Sequence, residues 1–322
     1  MKAMKWKFYS LAFVAGMSIL TACSSDDNND NDGNGGNGNG NEIENGTILK
    51  GTITSDVTLA AGNTYKLSGE YIVEEGATLH IEEGVKIIAV YDDIADYILV
   101  KQGGKINAVG TPDKPIVMTS EKEEPGAWGG IHICGRAHTN AEGGKGSSEI
   151  GGAVYGGNDD ADNSGTLQYI RLEYTGFAFD EEHEANGISF YGVGNGTIVD
   201  HCQAYKGSDD GFEFFGGSVN VSNLVAVSCS DDSFDWTEGW NGKGTNLVAY
   251  QEDKSTLGYD CDCLMECDNN GSNNAATPVA HPVLKNLILV GNGGSKQGIR
   301  LRAGTEVEID NAKVCGKGQP LT

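Results

Sequence analysis

Carboxylates recur at a fixed spacing in the second half of the chain. Residues 208–214 read Ser-Asp-Asp-Gly-Phe-Glu-Phe, and residues 230–236 read Ser-Asp-Asp-Ser-Phe-Asp-Trp, the same order of side-chain types 22 positions later. One coil of a β-solenoid has about this length. If the two heptads lie on adjacent coils, Glu213 stands over Asp235 at roughly the 4.8 Å spacing of neighbouring strands. Like charges then stack along one surface, and such a surface suits divalent cations.

Two acidic columns follow from this register. In each segment with the pattern apolar-polar-apolar, the polar residue faces outward. On successive coils these polar residues form one column, Ser189, Glu213, Asp235, Glu266 and Arg300. A second column lies four residues earlier in each coil. The predicted Ca²⁺ ligands from both columns are Asp209, Asp231, Asp262, Glu213, Asp235 and Glu266. Ca²⁺ takes six to eight oxygen ligands, so these carboxylates would suffice. A solvated patch, or carboxylates bonded to corner amides, is the competing explanation.

The same columns offer residues for catalysis or for binding. A polysaccharide lyase could hold Ca²⁺ on these carboxylates and use Arg300 or Arg302 as a base, whereas a glycoside hydrolase needs only two placed carboxylates. The candidate catalytic residues are Glu213, Asp235, Glu266 and Arg300. The candidate binding residues are Asp209, Asp210, Asp231, Asp232 and Trp240, with Phe215 and Tyr259 as further sugar-stacking platforms. Corner or core packing is the alternative for each aromatic residue.

A second set of repeats supplies the strands that must position these columns. Period-2 alternation directs a small or apolar residue of each repeat inward, namely Cys202, Leu224, Leu247, Leu287 and Ala312. The residue before each is Asn in four of the five repeats, at Asn223, Asn246, Asn286 and Asn311. Stacked Asn amides can hydrogen-bond along a corner, although the turn propensity of Asn alone would also explain the pattern. The step of 40 residues between two repeats predicts an insertion at about residues 252–280.

Composition agrees with an all-β solenoid. The chain of 322 residues contains 48 Gly and only 6 Pro, and beyond the N-terminus no segment has the periodicity of an amphipathic helix. Tight corners explain the glycine content. Residues 47–322 are therefore predicted to form one solenoid domain, in which each coil buries its core against its neighbours.

The N-terminus predicts export and anchoring. Residues 1–22 have the charged, apolar and small-residue regions of a signal peptide, and Leu20-Thr21-Ala22-Cys23 resembles a lipobox. The resemblance implies a lipoprotein signal peptide, lipidation of Cys23 and attachment to the outer membrane. An ordinary signal peptide with a chance Cys is the alternative. Residues 23–46 are predicted to be an acidic, Asn/Gly-rich tether, and the acidic residues after Cys23 look like a surface-export signal of Bacteroidota lipoproteins.

Net charge, cysteine spacing and missing motifs disfavour several classes of function, namely nucleic-acid binding, zinc binding and some known types of catalysis. The net charge of −24 disfavours nucleic acid as a partner, because phosphate-backbone binding needs a basic surface. Cys261, Cys263 and Cys267 lack the second Cys pair or the histidines of a zinc module, so disulfide or core roles are favoured over metal binding. The sequence contains no phosphate-binding loop and no Gly-x-Ser-x-Gly or Cys-His catalytic signature.

Several blocks of the chain resemble a known family. These blocks are Gly126-Ala127-Trp128-Gly129-Gly130-Ile131, Asp162-Asn163-Ser164-Gly165, Arg171-Leu172-Glu173-Tyr174, Asp209-Asp210-Gly211-Phe212-Glu213 with Gly216-Gly217, and Asp231-Asp232-Ser233-Phe234-Asp235. They are similar to blocks of Bacteroidota β-helix cell-surface lipoproteins, which are pectin-lyase-like. The resemblance implies an all-β, single-stranded, right-handed parallel β-helix at the cell surface, without an established activity. It also implies that the natural chain can continue past Thr322, where the C-terminal cap would follow.

Two functions follow from these observations. The first is a surface-anchored, non-catalytic module that binds glycan or another surface ligand, with Ca²⁺ as a possible cofactor. The alternative is a polysaccharide lyase or glycoside hydrolase that uses the Asp and Glu columns. The chain lacks the Gly-His-Gly and Arg-Ile-Lys elements that accompany Asp-Asp in polygalacturonases, which favours the binding module.

Overall fold

The computed structural model describes residues 41–92, 94–179 and 183–322. The predicted signal peptide, the predicted lipidation site Cys23 and the tether up to residue 40 lie outside this part of the chain. The tether boundary at residue 46 is wrong, because Asn41–Ile43 already forms a strand that pairs with Val57–Leu59. None of the helices in the described residues is long and apolar enough to cross a membrane.

The described residues form short strands and very little helix. The first strands are β1 (Asn41–Ile43), β2 (Ile48–Ile53), β3 (Val57–Leu59), β4 (Thr64–Val73), β5 (Thr78–Ile81), β6 (Lys86–Ala89), β7 (Tyr97–Val100), β8 (Lys105–Val109) and β9 (Ile116–Ser120). The middle strands are β10 (Ile131–Cys134), β11 (Gly146–Ser147), β12 (Val154–Tyr155), β13 (Gly165–Glu173), β14 (Ile188–Tyr191), β15 (Ile198–Tyr205), β16 (Phe212–Phe215), β17 (Asn220–Ser222) and β18 (Val225–Val227). The last strands are β19 (Phe234–Thr237), β20 (Lys243–Tyr250), β21 (Met265–Cys267), β22 (Val283–Val290), β23 (Gln297–Leu301), β24 (Glu308–Cys315) and β25 (Gln319–Leu321). The helices are α1 (Lys254–Leu257), which lies in the predicted insertion, and one 3₁₀ turn at Glu142–Gly144.

Apart from β11 and β12, which form a small antiparallel pair, the strands stack into three parallel sheets, as expected for a parallel β-helix. Sheet 1 begins with the second halves of β2 and β4 and continues through β7, β10, β14, β16, β19, β21, β23 and β25. Sheet 2 contains β1, β3, β5, β8 and β17 with the first halves of β13, β15, β20, β22 and β24. Sheet 3 contains the first halves of β2 and β4, then β6, β9 and β18, and the second halves of β13, β15, β20, β22 and β24. Each coil contributes to all three sheets, so the core lies in the bore between them.

The predicted register of sheet 1 is confirmed. Phe212 pairs with Phe234, and Glu213 pairs with Asp235, on adjacent coils. The rings of Phe212 and Phe234 stack inside the bore with centroids 5.6 Å apart, and Met265 continues the buried column. The outward column also runs as predicted, since Asp235 pairs with Glu266 and Glu266 with Arg300.

The Asn column forms the predicted ladder at the corner between sheets 2 and 3. Each side-chain amide donates to the Oδ1 atom of the preceding Asn, at 2.8 Å from Asn246 to Asn223, 3.0 Å from Asn286 to Asn246 and 2.8 Å from Asn311 to Asn286. All four Asn residues have positive φ, from +54° to +61°. Asn tolerates this left-handed conformation better than most residues, so the corner uses both its backbone and its amide.

We expect Asn246→Ala to destabilise the protein by about 1–2 kcal/mol, because Ala loses both ladder hydrogen bonds and is strained at φ +57°. Asn246→Gly should lose less, since Gly adopts this conformation freely. Urea unfolding of the three proteins measures the difference. Equal stability of the Ala variant and the wild type would contradict the structural role of the ladder.

Two long connections cover part of the outer face of sheet 1. Residues 135–164, 174–179 and 183–187 pack a second apolar cluster against the outward side chains of this sheet. The cluster includes Ile150 and Tyr155 from the first connection and Tyr191 and Phe215 from the sheet. The outer face of sheet 1 is therefore partly buried, which the repeat pattern did not predict.

The cysteines of the described residues are all free thiols. Cys134, Cys202 and Cys267 are buried as predicted. Cys261 and Cys263 are also buried and unpaired, so the core explanation of this cluster holds and the disulfide alternative does not.

Candidate functional site

Carboxylates from strands, corners and loops meet in one cleft beside sheet 1. The cleft has a volume of about 200 Å³, and its lining is almost entirely acidic. The lining residues are Glu149, Glu184, Asp209, Asp210, Glu213, Asp231 and Asp235. The predicted columns contribute Asp209, Glu213, Asp231 and Asp235, which the structure does bring together.

The corner before sheet 1 explains why an Asp-Asp pair recurs. Asn186 Oδ1 accepts from the backbone N–H of Asp210 at 3.2 Å, and Asp210 Oδ1 accepts from the N–H of Asp232 at 2.8 Å. Asp232 Oδ1 in turn accepts from the N–H of Cys263 at 2.6 Å. Each side chain thus satisfies a backbone donor of the next coil. Asp232 is 4% exposed and does not line the cleft, so the structure does not bring this predicted binding residue to the others. Asp210 has the same corner role but also lines the cleft.

Glu213 and Asp235 point away from the bore, as predicted, but they do not form an open surface. Both are only partly exposed. Asn186 Nδ2 donates to Glu213 Oε2 at 2.6 Å, which fixes that carboxylate at the floor of the cleft. Sequence reasoning missed the walls formed by Glu149 and Glu184, because these residues lie in non-repeating connections. In the sequence, only the lengths of those two connections indicated that they could cover part of sheet 1.

The cleft raises the pKa values of Asp209, Glu149, Asp231, Glu213 and Asp235. Burial is the largest cause throughout, and neighbouring carboxylates add to it. The pKa of Asp209 rises to about 8, beside Asp231, and that of Glu149 to about 7. The pKa of Asp231 rises to about 6, and those of Glu213 and Asp235 lie well above their usual range. The ionised cleft is therefore unfavourable without a cation.

Three of these side chains have the spacing of a cation site. One oxygen atom from each of Asp210, Glu213 and Asp235 lies within 4.8 Å of the others. Oxygen atoms that surround Ca²⁺ at about 2.3–2.6 Å have separations of this size. Within the described residues, no lysine or arginine forms an ion pair with a carboxylate that lines the cleft.

Farther along the solenoid, arginine and lysine side chains pair with the acidic residues. Asp232, Asp235 and Glu266 form an equivalent group within 4.8 Å. There, Arg300 Nη1 lies 2.7 Å from Glu266 Oε1, and Arg302 also pairs with Glu266. Asp262, at the end of the other column, pairs with Lys296. Glu266 and Asp262 are thus neutralised and lie outside the cleft, although both were predicted as Ca²⁺ ligands.

A family model described as a pectate-lyase-like β-helix domain matches residues 51–322. The chain belongs to this family. The comparison with curated proteins found no match. Membership of the pectate-lyase-like β-helix family supports a carbohydrate-related role, and it does not decide between binding and catalysis.

The arginines of this pectate-lyase-like domain are not placed to act as bases. Arg302 Nε lies 2.8 Å from Asp268 Oδ1, and its pKa is raised by that hydrogen bond. Arg300 is held by Glu266. Both predicted lyase bases thus pair with carboxylates outside the acidic cleft, so the geometry does not favour Arg300 or Arg302 as a base.

Two aromatic residues that were predicted to stack on sugars, Trp240 and Phe215, are buried. Trp240 is 1% exposed and stacks on Phe214 with ring centroids 4.1 Å apart, so it belongs to the core. Phe215 is 7% exposed beneath the covering connections and stacks on Tyr191. Neither ring can contact a sugar. Tyr259 is partly exposed, and its hydroxyl donates to Ser228 O at 2.7 Å, away from the residues that line the cleft.

Proposed function

We propose that this protein binds glycan without cleaving it, through a calcium ion held in the acidic cleft. The observation that carries the proposal is the contrast between two equivalent carboxylate groups in one column. The group at Glu266 is neutralised by Arg300 and Arg302, whereas no lysine or arginine among the described residues forms an ion pair with Asp210, Glu213 or Asp235. A divalent ion bound from solution would supply the missing charge.

Calcium fits the donor set. All candidate ligand atoms of this group are carboxylate oxygens, which hard cations prefer. The opening of the cleft would leave coordination positions for sugar hydroxyl groups, in addition to water. This arrangement agrees with the carbohydrate-related role that the family supports.

Glycoside hydrolysis is a second candidate. It is favoured by the same close carboxylates, since Asp210, Glu213 and Asp235 have raised pKa values and a general acid needs a carboxyl group that stays protonated near neutral pH. One protonated carboxyl group as the general acid and one ionised carboxylate as the base or nucleophile, on either side of a glycosidic bond, would be sufficient.

One experiment separates the two functions. Purified protein is applied to immobilised polysaccharides and oligosaccharides with calcium or with a chelator, and any bound glycan is then analysed for cleavage products. The proposal expects binding in calcium, loss of binding in chelator and intact glycan. Release of shortened chains would establish hydrolysis instead, and glycan binding that is indifferent to calcium would end the calcium-dependent mechanism.

We also propose that the domain is anchored at the outer membrane, facing the cell exterior, through a lipid on Cys23. The support is the sequence around that residue. Cys23→Ser should move the protein from the membrane fraction to the soluble fraction, because the variant lacks the thiol to which the lipid would be attached. Unchanged fractionation, together with no acyl label on the wild type, would contradict the anchor.

A further inference from the structure

A second cleft of about 320 Å³ lies away from the walls of the acidic cleft. Its volume falls within the usual range for small-molecule sites, about 300–1,000 Å³. Its lining combines aromatic, apolar and charged side chains with exposed backbone, namely Tyr91, Asp92, Lys122, Glu124, Pro125 and residues 126, 127 and 177. None of these lining residues belongs to the predicted acidic columns.

The floor of this second cleft is held rigidly. Gly126 N–H donates to Thr175 O at 2.8 Å, and Ala127 N–H donates to Tyr174 O at 3.0 Å. Phe177 N–H donates to Trp128 O at 3.1 Å. These backbone bonds join the turn after β9 to the connection after β13, so the cleft is formed before any ligand arrives.

Tyr91 gives the second cleft an exposed aromatic wall. Its side chain is 54% exposed, in contrast to the buried Trp240 and Phe215. Lys122 Nζ lies 4.4 Å from the centre of the Tyr91 ring and 2.9 Å from its hydroxyl oxygen, which restricts the ring. Phe177 adds a second aromatic side chain to the lining. Sugar rings present apolar C–H faces that pack on such aromatic rings.

The charges of the second cleft favour an uncharged ligand. Its one cation, Lys122, already pairs with Glu124 at 2.8 Å. Asp92 adds a further carboxylate to the lining, so an anionic ligand would meet a net negative surface. The carboxylates of Asp92 and Glu124 and the ammonium group of Lys122 can still exchange hydrogen bonds with hydroxyl groups.

We propose that the second cleft binds a neutral sugar residue of a polysaccharide, with its ring stacked on Tyr91. The site goes beyond the calcium-dependent function, since it contains none of the residues that line the acidic cleft. The two clefts are nevertheless neighbours. Ser208 N–H donates to Thr175 O at 2.9 Å, beside the floor of the second cleft, and the next residue, Asp209, lines the acidic cleft.

The test measures binding of short neutral oligosaccharides of glucose, xylose, mannose and galactose, with oligogalacturonides as the charged comparison. The wild-type protein should bind at least one neutral series in preference to the uronides. Tyr91→Ala should weaken that binding by about tenfold, whereas Tyr91→Phe keeps the ring and should stay within about twofold. Tyr250→Ala is the matched control, because Tyr250 is 47% exposed on sheet 3 and does not line either cleft.

Three results would overturn this site: no binding of any neutral oligosaccharide, a preference for uronides, or equal binding by the wild type and Tyr91→Ala. The stabilisation of the protein by calcium is recorded for the same variants. Tyr91→Ala should keep the calcium-induced shift of the melting temperature. Binding that depends on Tyr91 and persists in chelator would support the second cleft, whereas a wild-type melting temperature indifferent to calcium would remove the calcium site, so the two proposals fail separately.

Discussion

Millimolar calcium should raise the melting temperature of this protein by about 5 °C at neutral pH. The reason is mass action, because an ion that binds only the folded acidic cleft stabilises it, and a concentration of about 100 times the Kd contributes about 2.7 kcal/mol. The ion would also offset the burial and the mutual repulsion that raise the pKa values of Glu213 and Asp235. Thermal unfolding in calcium and in chelator measures the shift.

Asp235→Asn provides the decisive comparison. This substitution removes one carboxylate from the group of Asp210, Glu213 and Asp235, so the calcium shift should vanish. In chelator, the same variant should melt at a higher temperature than the wild type, since a buried repulsive charge is gone. Asp113→Asn, an exposed change outside the cleft, should leave the calcium shift intact. An identical melting temperature of the wild type with and without calcium would rule out the ion site.

In chelator, lowering the pH from 8 to about 5.5 should raise the melting temperature by roughly 5–10 °C. A carboxyl group whose pKa is raised by folding contributes stability that is fully present below its unfolded pKa and is lost as the pH rises through its folded pKa. The folded values here are about 6 for Asp231, about 7 for Glu149 and about 8 for Asp209. Stability should therefore fall across this whole range as these groups ionise.

Two variants localise the pH effect. Glu149→Gln should flatten the dependence below about pH 7, because the folded cleft keeps the proton of Glu149 up to about this pH whereas the unfolded chain loses it earlier. Asp253→Asn, at an exposed carboxyl group whose pKa is lowered by its hydrogen bonds with Ser255, should leave it unchanged. Saturating calcium should also flatten the curve. A melting temperature that rises with pH between 5.5 and 8 would contradict the proposed repulsion in the cleft.

The repeats determined much of this protein by themselves. The 22-residue register placed Glu213 over Asp235 and Phe212 over Phe234, and the structure has both pairs. The Asn column predicted the corner ladder, which is also present. These features could be predicted because parallel, in-register stacking turns a sequence period directly into contact between neighbouring coils. Four of the seven residues that line the acidic cleft follow from that rule and the two columns.

Only the tertiary structure decided how those columns are used. Glu149 and Glu184 come from connections that have no period, and they fold back over sheet 1 through contacts far apart in sequence. The same connections bury Phe215, while the bore takes up Trp240, so neither is available as a platform. Pairing of Arg300 and Arg302 with Glu266 divides one acidic column into a neutralised part and a part where no described lysine or arginine forms an ion pair. A repeat specifies which residues are neighbours along the solenoid, whereas burial and net charge depend on what non-repeating segments place over them.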